Sequence, residues 1–252
     1  MPRFAANLTL LFQEVPLLDR FAAAHAAGFE AVEVLFPYSV TPDTFKSALD
    51  QVGQTLVLFN TPAPDWANGD RGLAAVPGKE HQFRETFAKA MQYAEVLKPR
   101  FLHIMAGLAS GADARQTYVE NLIWAAAMSP DQSLTIEPIN PTDMPGYFLN
   151  DFDLAAEILD EVAAPNLHLQ FDAYHAHKIT GDVIGAWADH GRRAVHVQIA
   201  GAEGRHEPDN CEIDYLALFS LLDTEKYGGF VSGEYVPKGH TEEGLGWFTS
   251  QL

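Results

Sequence analysis

Short strand-like runs alternate with longer helical segments eight times along this chain of 252 residues, and this alternation constrains the fold more than any other feature. The runs are rich in β-branched and aromatic residues, which favour strands. They lie at 4–10, 31–36, 55–60, 101–107, 134–139, 167–174, 194–201 and 229–235. Eight strand–helix units in about 250 residues are typical of a (β/α)8 barrel.

The main alternative to a barrel is a doubly wound open sheet. Such a sheet usually has a glycine-rich phosphate loop after its first strand. The stretch that follows strand one, NLTLLFQEVP, contains no glycine. The sequence therefore predicts an α/β fold, a (β/α)8 TIM barrel that forms a single domain over residues 1–252.

The segments between the runs carry helix signals. Segment 41–53 begins with Thr41, a capping residue, followed by Pro42 in the first turn, and it closes on Gly53. Segment 15–28 has apolar residues at helical spacing and also ends in glycine. Further helices are expected at 80–97, 117–128 and 151–162.

Polar residues occur late in the strands, where barrel enzymes place their active residues. Strands five to eight carry Glu137, Asp172, Gln198 and Glu234, at spacings of 35, 26 and 36 residues. Because adjacent parallel strands lie about 4.8 Å apart, inward-pointing side chains from four neighbouring strands can converge. Comparable positions on strands one to four hold Asn7, Glu33, Asn60 and His103. A solvated strand end explains any single one of these residues, but four on successive strands favour a shared site.

Three carboxylates in a buried mouth repel one another unless a cation pairs with them. Carboxylate and amide oxygens are the ligands that Mg²⁺ and Mn²⁺ prefer, whereas Zn²⁺ ordinarily takes more nitrogen or sulfur. The sequence therefore predicts that Glu137, Asp172, Gln198 and Glu234 bind Mg²⁺ or Mn²⁺.

Other residues are candidates for the same mouth. His175 follows strand six and is expected to reach it, whereas His177 is expected to point away. Arg205, in the loop after strand seven, either binds a substrate carboxylate in bidentate fashion or forms a surface salt bridge. Trp66 either covers the pocket or anchors its proline-rich loop. His196 either lines the lower pocket or is a hydrogen-bonded core histidine.

Charge and composition restrict the partners. The net charge of −18 repels nucleic acid and anionic membranes, and it reflects either a solubility surface or carboxylates concentrated in one cleft. No apolar run approaches the ~20 residues that span a bilayer, and no signal peptide is recognisable. Cys211 is the only cysteine, which fits a reducing cytoplasm. We expect a cytoplasmic protein with a small-molecule substrate and no nucleic-acid or membrane partner; a homo-oligomer is compatible with the sequence.

Eight stretches between Arg3 and about Trp247 resemble one family. They are RFAANLTLLF, GFEAVEVLFPY, ENLIWAA, IEPIN, YHAHK, HVQIAG, EIDY and GEYVP. They are similar to the hydroxypyruvate isomerases of the xylose-isomerase-like TIM barrel superfamily, which also includes 2-oxo-tetronate isomerases, ketose 3-epimerases and endonuclease IV. The resemblance implies that the four strand-end residues bind the metal and that Glu137 and Glu234 also act as proton donor and acceptor.

One loop departs from the family pattern. After strand seven the family usually has the glycine-rich run GEPGTGE, whereas this chain has HEPDNCE at 206–212. The kept residues are Glu207, Pro208 and Glu212, and the residues that replace glycine are His206, Asp209 and Cys211. Larger side chains are expected to narrow or reshape the pocket, which bears on the substrate more than on the chemistry.

The resemblance implies an aldose–ketose type isomerase that interconverts hydroxypyruvate and tartronate semialdehyde through a cis-enediolate. In it His175 orients a substrate oxygen, Arg205 with Glu207 holds the distal end, and Asn60 and Trp66 contribute to the substrate pocket. The alternatives are a 2-oxo-tetronate isomerase, a ketose 3-epimerase and a non-catalytic sugar-binding barrel. An endonuclease IV-like DNA repair enzyme fits less well, because it needs several metals, more histidine ligands and a basic groove.

Overall fold

The computed structural model describes residues 2–209 and 211–249. Eight parallel strands form one closed barrel in which each strand pairs with its neighbours in sequence and the first pairs with the last. The strands are β1 Arg3–Asn7, β2 Ala31–Glu33, β3 Thr55–Asn60, β4 Phe101–His103, β5 Ser133–Ile136, β6 Leu167–Asp172, β7 Ala194–Ile199 and β8 Phe230–Gly233. The predicted single (β/α)8 barrel is confirmed.

Helices surround the barrel. They are α1 Arg20–Ala26, α2 Pro42–Val52, α3 Glu80–Leu97, α4 Gly111–Met128, α5 Phe152–Val162, α6 Ala173–Thr180, α7 Val183–His190, α8 Tyr215–Thr224 and α9 Gly246–Thr249. Short 3-10 turns lie at Pro37–Ser39, Trp66–Asn68, Gly191–Arg193 and Thr241–Gly244. Within residues 2–209 and 211–249, no helix has the length and apolar character needed to cross a membrane.

The predicted signals at the ends of α2 are confirmed. The Thr41 side chain accepts a hydrogen bond from the Thr44 amide, and Gly53 closes the helix at a φ of 69°, a left-handed conformation that suits glycine. Helix α1, in contrast, begins at Arg20 and not at residue 15. Residues 15–19 form turns instead, in which the Pro16 carbonyl accepts from the Asp19 amide at 2.9 Å.

Most strands end earlier than the sequence predicts. The runs at 31–36 and 101–107 pair only as far as Glu33 and His103. Glu137 and Glu234 lie one residue beyond β5 and β8, and the Glu234 amide still donates to the Ile199 carbonyl of β7 at 3.0 Å. The run at 167–174 is cut at Asp172, whose side chain caps the following helix α6.

The main apolar core lies between the barrel and its helices, where strand residues such as Phe59 pack with helix residues such as Phe45, Phe83 and Phe87. The barrel interior near the carboxyl ends of the strands is polar. Every strand supplies at least one buried polar side chain: Asn7, Glu33, Asn60, His103, Thr135, Gln170, His196 and Ser232. We call these eight residues the polar layer.

The loops at the mouth are joined to one another. An isolated bridge pairs Gly72, after β3, with Ala106, after β4. Gly107 has a φ of 97°, and a Cβ at this position would lie 2.3 Å from the Gly72 carbonyl oxygen. Only glycine therefore allows this close approach of the two loops.

Candidate active site

The four residues predicted at the strand ends meet at one mouth of the barrel. Asp172 ends β6, Gln198 lies in β7, and Glu137 and Glu234 directly follow β5 and β8. All four side chains are buried. The structure therefore brings the predicted group together, and hydrogen bonds show how each member is oriented.

Asp172 has one oxygen bound to the backbone and one directed into the mouth. Its Oδ1 accepts from the amides of Tyr174 at 2.7 Å and His175 at 3.3 Å, as the N-cap of α6. Its Oδ2 lies 3.0 Å from Arg205 Nη2 and 3.6 Å from His175 Nε2.

The two oxygens of Glu137 likewise have different partners. Its Oε2 accepts from Gln170 Nε2 at 3.0 Å and lies 3.7 Å from His103 Nδ1. Its Oε1 lies 3.9 Å from His175 Nε2, the nitrogen that also faces Asp172. The second oxygen of Glu137 and that of Asp172 therefore face the same imidazole.

Glu234 completes this arrangement from β8. Its Oε2 accepts hydrogen bonds from Asn7 Nδ2 at 3.1 Å and from Gln198 Nε2. Its Oε1 accepts from Arg205 Nη2 at 2.5 Å, the same nitrogen that binds Asp172. In all three carboxylates, one oxygen is fixed by the chain and the other is directed toward a common centre.

Gln198 lies between the glutamates. Its Oε1 accepts from Gln170 Nε2 at 2.7 Å, and its Nε2 donates to Glu33 Oε1 at 2.8 Å and to Glu234. The sequence analysis missed Gln170. Its position two residues before Asp172 places both side chains on the same face of a strand, and this spacing would have identified it.

Burial and mutual repulsion raise the pKa values of both glutamates. Burial raises the pKa of Glu137 well above its usual value, and the charges of Glu234 and Asp172 raise it further. Burial raises the pKa of Glu234 to about 8, against the opposing effect of Arg205. Burial alone would lower the pKa of Arg205, but Glu234 and Asp172 outweigh it, so that pKa is raised. A pair of buried carboxyl groups with raised pKa values is typical of general acid–base sites.

His175 is neutral and has a defined orientation. Burial lowers its pKa to about 4, although the charge of Asp172 acts in the opposite direction. The Asn140 carboxamide lies 2.7 Å from His175 Nδ1. If the Asn140 amino group donates to Nδ1, the proton is on Nε2, which faces Glu137 and Asp172. The prediction that His175 reaches the mouth is confirmed.

Arg205 lies inside the cluster and not in a surface salt bridge. Its guanidinium carbon stands 5.0 Å from the centre of the Tyr174 ring, and its backbone has a φ of 53°, in the left-handed region. The Tyr174 hydroxyl donates to Asp143 Oδ2 at 2.7 Å, and the Asn140 carboxamide donates to the same oxygen at 3.1 Å. No spacing in the sequence distinguishes Asp143, because it lies in an irregular loop after β5.

Asn60 and Trp66 have different relations to the cluster. Asn60 is buried at the end of β3, and its Oδ1 lies 3.2 Å from His103 Nδ1, on the ring nitrogen that faces Glu137. Trp66 lies on an exposed turn, where its ring contacts Phe36 and Arg71. Trp66 therefore has the contacts of a loop anchor, and its predicted role over the pocket stays a prediction.

The loop after β7 is tied to the chain that follows β8. Glu207 Oε1 accepts from the Lys238 amide at 2.9 Å, and His206 Nδ1 lies 2.8 Å from the Val236 carbonyl oxygen. The Glu207 carboxylate thus braces two loops, and its predicted contact with substrate stays a prediction. Cys211 Sγ lies 3.5 Å from the Pro208 carbonyl oxygen.

The other two histidines considered in the sequence analysis, His177 and His196, lie apart from the cluster centre. His177 Nε2 lies 3.4 Å from Glu212 Oε2, in the loop after β7. His196 is fully buried in the polar layer, with its Nε2 2.7 Å from Glu33 Oε2. It is a hydrogen-bonded core histidine, one of the two roles that the sequence leaves open.

The donor set of the mouth fits a divalent cation. Among the residues that the structure describes, Glu137, Asp172 and His175 each offer a ligand atom, and these atoms all lie within 4.8 Å of one another. Glu234 Oε1 shares Arg205 Nη2 with Asp172, and the amide oxygen of Gln198 shares Gln170 Nε2 with Glu137. Such an oxygen-rich set with a single imidazole nitrogen suits Mg²⁺ or Mn²⁺.

Comparisons with known proteins identify the family of this chain. Residues 21–251 match the family model described as Xylose isomerase-like TIM barrel. The chain is 48% identical to the 2-oxo-tetronate isomerase of Cupriavidus necator, over 100% of this chain and 99% of that protein. It is 39% identical to the hydroxypyruvate isomerase of Escherichia coli, over 98% of each.

A solved structure shows the same fold in detail. The crystal structure described as AP endonuclease, family 2, from Brucella melitensis superposes with a TM-score of 0.96 at 43% identity, and the match covers 99% of both chains. The match to the family model over residues 21–251 and the match to relatives named as isomerases over 98% or more of the chain lead to one conclusion: the chain belongs to the xylose isomerase-like TIM barrel family and is an isomerase.

Proposed function

We propose that the protein is an isomerase of small hydroxy-carbonyl acids. It interconverts a hydroxy ketone and its isomer by proton transfer between neighbouring carbons. The substrates that we propose are hydroxypyruvate, with tartronate semialdehyde as product, and the homologous 2-oxo-tetronates. The observation that supports this chemistry best is the pair Glu137 and Glu234, which are buried, have raised pKa values and direct one oxygen each into the same mouth. The names of the two relatives support the choice of substrate class.

One glutamate removes the proton from the carbon next to the carbonyl, which leaves a cis-enediolate. The hydroxyl proton passes from the oxygen of one carbon to the oxygen of the other, and the second glutamate returns a proton to the neighbouring carbon. No oxidant is required, since the atoms and electrons balance within the substrate. The anchored oxygens keep both carboxylates in place while their free oxygens exchange protons.

We further propose that Glu137, Asp172, Gln198 and Glu234, with His175 beside them, hold Mg²⁺ or Mn²⁺. A bound dication would polarise the substrate carbonyl and acidify the adjacent C–H bond. Arg205 would then bind the substrate carboxylate, because it is the cation at the mouth and carboxylates match its planar fork. His175 would orient a substrate oxygen, with Asn60, Trp66 and Glu207 at the margin of the pocket.

The test is turnover of hydroxypyruvate, 2-oxo-tetronates and free ketoses with Mn²⁺ or Mg²⁺. We expect Glu137→Gln and Glu234→Gln each to lower kcat by at least ~10²–10⁴-fold, the usual contribution of general acid–base catalysis. Glu161→Gln is the matched control, because this exposed carboxylate pairs with Arg115 on the surface. Wild-type turnover in either site variant would refute the acid–base assignment.

A second candidate, cleavage of damaged DNA, is raised by the description of the Brucella melitensis structure. A net charge of −18 opposes the approach of a polyanion. We therefore place isomerisation first and treat DNA binding as a separate measurement, described below.

A further inference from the structure

We propose that Glu33 is a positioning residue that fixes which way round the Gln198 carboxamide lies. The inference rests on the proposed function, since it concerns how a proposed metal ligand presents its oxygen. Glu33 ends β2, and its side chain is fully buried.

Both oxygens of Glu33 have hydrogen-bond partners, and those of Oε1 are amide donors. Its Oε1 accepts from Asn7 Nδ2 and from Gln198 Nε2, each at 2.8 Å. Its Oε2 lies 2.7 Å from His196 Nε2. A carboxylate that is surrounded by donors can only accept. The amide group that faces Glu33 must therefore be the nitrogen of Gln198 and not its oxygen.

The other end of Gln198 is constrained in a complementary way. Gln170 Nε2 donates to Gln198 Oε1 at 2.7 Å and to Glu137 Oε2 at 3.0 Å. The Gln170 oxygen is already used, because it accepts from Thr135 Oγ1 at 3.1 Å. Gln170 thus donates in two directions, to Glu137 and to Gln198, and Gln198 in turn donates to Glu33.

The physical consequence concerns the cation. With this orientation the Gln198 oxygen lies on the Glu137 side of the mouth, where a dication would meet it. A reversed carboxamide would present its NH₂ group to the cation and its oxygen to the Glu33 carboxylate, and both contacts are repulsive. A buried acceptor beneath the site therefore decides which Gln198 atom can act as a ligand.

The experiment measures the Kd of the full-length protein for Mn²⁺ alone, by titration calorimetry. We expect Glu33→Gln to weaken Mn²⁺ binding ~10–100-fold, the usual effect of losing a residue that orients a ligand. Glu33→Asp keeps the charge but withdraws the acceptor by one methylene, and we expect it to weaken binding as well. Circular dichroism and urea unfolding confirm that each variant is folded.

Two further proteins separate orientation from other effects. In Glu33→Gln combined with Gln198→Glu, residue 198 has two equivalent oxygens, so we expect Mn²⁺ affinity to return to within about threefold of wild type. Gln54→Glu is the control. Gln54 lies just before β3, at the other end of the barrel from the polar layer, and its buried amino group donates to the Phe29 carbonyl. This substitution is expected to lower stability and leave the Kd unchanged.

The outcomes are distinguishable. Wild-type Kd values in both single variants would overturn the positioning role and leave the proposed function intact. Weak binding in Glu33→Gln with normal binding in Glu33→Asp would show that Glu33 supplies only charge, which also overturns the positioning role. A double variant that binds Mn²⁺ as weakly as Glu33→Gln would overturn it too. A wild-type protein that turns over substrate without taking up Mn²⁺ would refute both this role and the proposed metal site.

Discussion

At the scale of single residues, Arg205 is the charge on which the mouth depends. Its Nη2 binds two buried carboxylates, Asp172 and Glu234, while a third, Glu137, lies close enough for its charge to raise the pKa of Arg205. A loop residue with a left-handed backbone thus compensates a cluster built by the strands. Its removal leaves buried carboxylates without their cation, which is costly.

We expect Arg205→Met to lower the free energy of unfolding of the EDTA-treated protein by about 1.5–3 kcal/mol, the range for hydrogen bonds to charged groups. Added Mn²⁺ should restore much of this loss, because a dication can replace the missing charge. Urea unfolding with and without Mn²⁺ measures both effects. Arg193→Met is the control, since Arg193 pairs with Asp160 at the surface, where such pairs contribute about 0–1 kcal/mol. Equal losses in the two variants would contradict this account.

His103 makes a pH-dependent contribution to stability. Burial lowers its pKa from 6.5 to about 3, and the nearby imidazoles of His196 and His175 act in the same direction. The folded protein therefore binds this proton less tightly than the unfolded chain. His103 stabilises the fold fully above pH 6.5, and this stability is lost as the pH falls toward 3.

We therefore expect wild type to lose unfolding free energy relative to His103→Gln as the pH falls below 6.5. The loss should be about 1.4 kcal/mol per pH unit. Urea unfolding of the EDTA-treated proteins near pH 7.5 and pH 5 measures it. A difference that does not change with pH would show that His103 accepts a proton in the folded state.

The sequence predicted the residues that follow from position along a strand. Glu137, Asp172, Gln198 and Glu234 were found because strand ends of a barrel meet at one mouth. Asp143 and Asn140 were missed, because the path of an irregular loop cannot be read from periodicity. Glu33 was noted only as a strand-end residue, since its role depends on contacts across the barrel.

At the scale of elements, Asp172 couples the site to helix α6. One of its oxygens caps the helix and the other faces the mouth. We expect Asp172→Asn to keep most of the helix-capping stability but to lose Mn²⁺ binding. Asp172→Ala should lose both, with a stability cost of about 0.5–2 kcal/mol from the cap.

Thermal unfolding and Mn²⁺ titration measure these two effects separately. Asp151→Ala is the matched control, because Asp151 caps α5 through the Leu154 amide and has no oxygen in the mouth. It should lower stability by a similar amount and leave Mn²⁺ binding unchanged. A loss of Mn²⁺ binding in Asp151→Ala would mean that general destabilisation, and not the carboxylate, controls the site.

The element order was predictable, but the element ends were not. Eight alternations of strand and helix were enough to choose the barrel over the open sheet. The predicted runs were too long because apolar chain continues past the last ladder hydrogen bond, as at 105–107. The two short helices between β6 and β7 were not predicted, because the cap at Asp172 turns an apparent strand end into a helix start.

At the scale of the whole molecule, charge separates the two candidate functions. We expect no binding of a DNA duplex with an abasic site, even at low salt, because a chain of net charge −18 repels a polyanion. Fluorescence anisotropy with a labelled duplex measures this. Saturable, salt-sensitive binding would revive the endonuclease alternative.

The polar layer also divides the barrel along its axis. Near the strand starts the interior is apolar, with residues such as Ala31 and Phe230 packed together, whereas the other half is filled with hydrogen-bonded groups. Substitutions meant to raise stability are therefore better placed in the apolar interior near the strand starts, where packing decides, than in the polar layer. The barrel thus separates an interior region that mainly sets stability from one that carries the site.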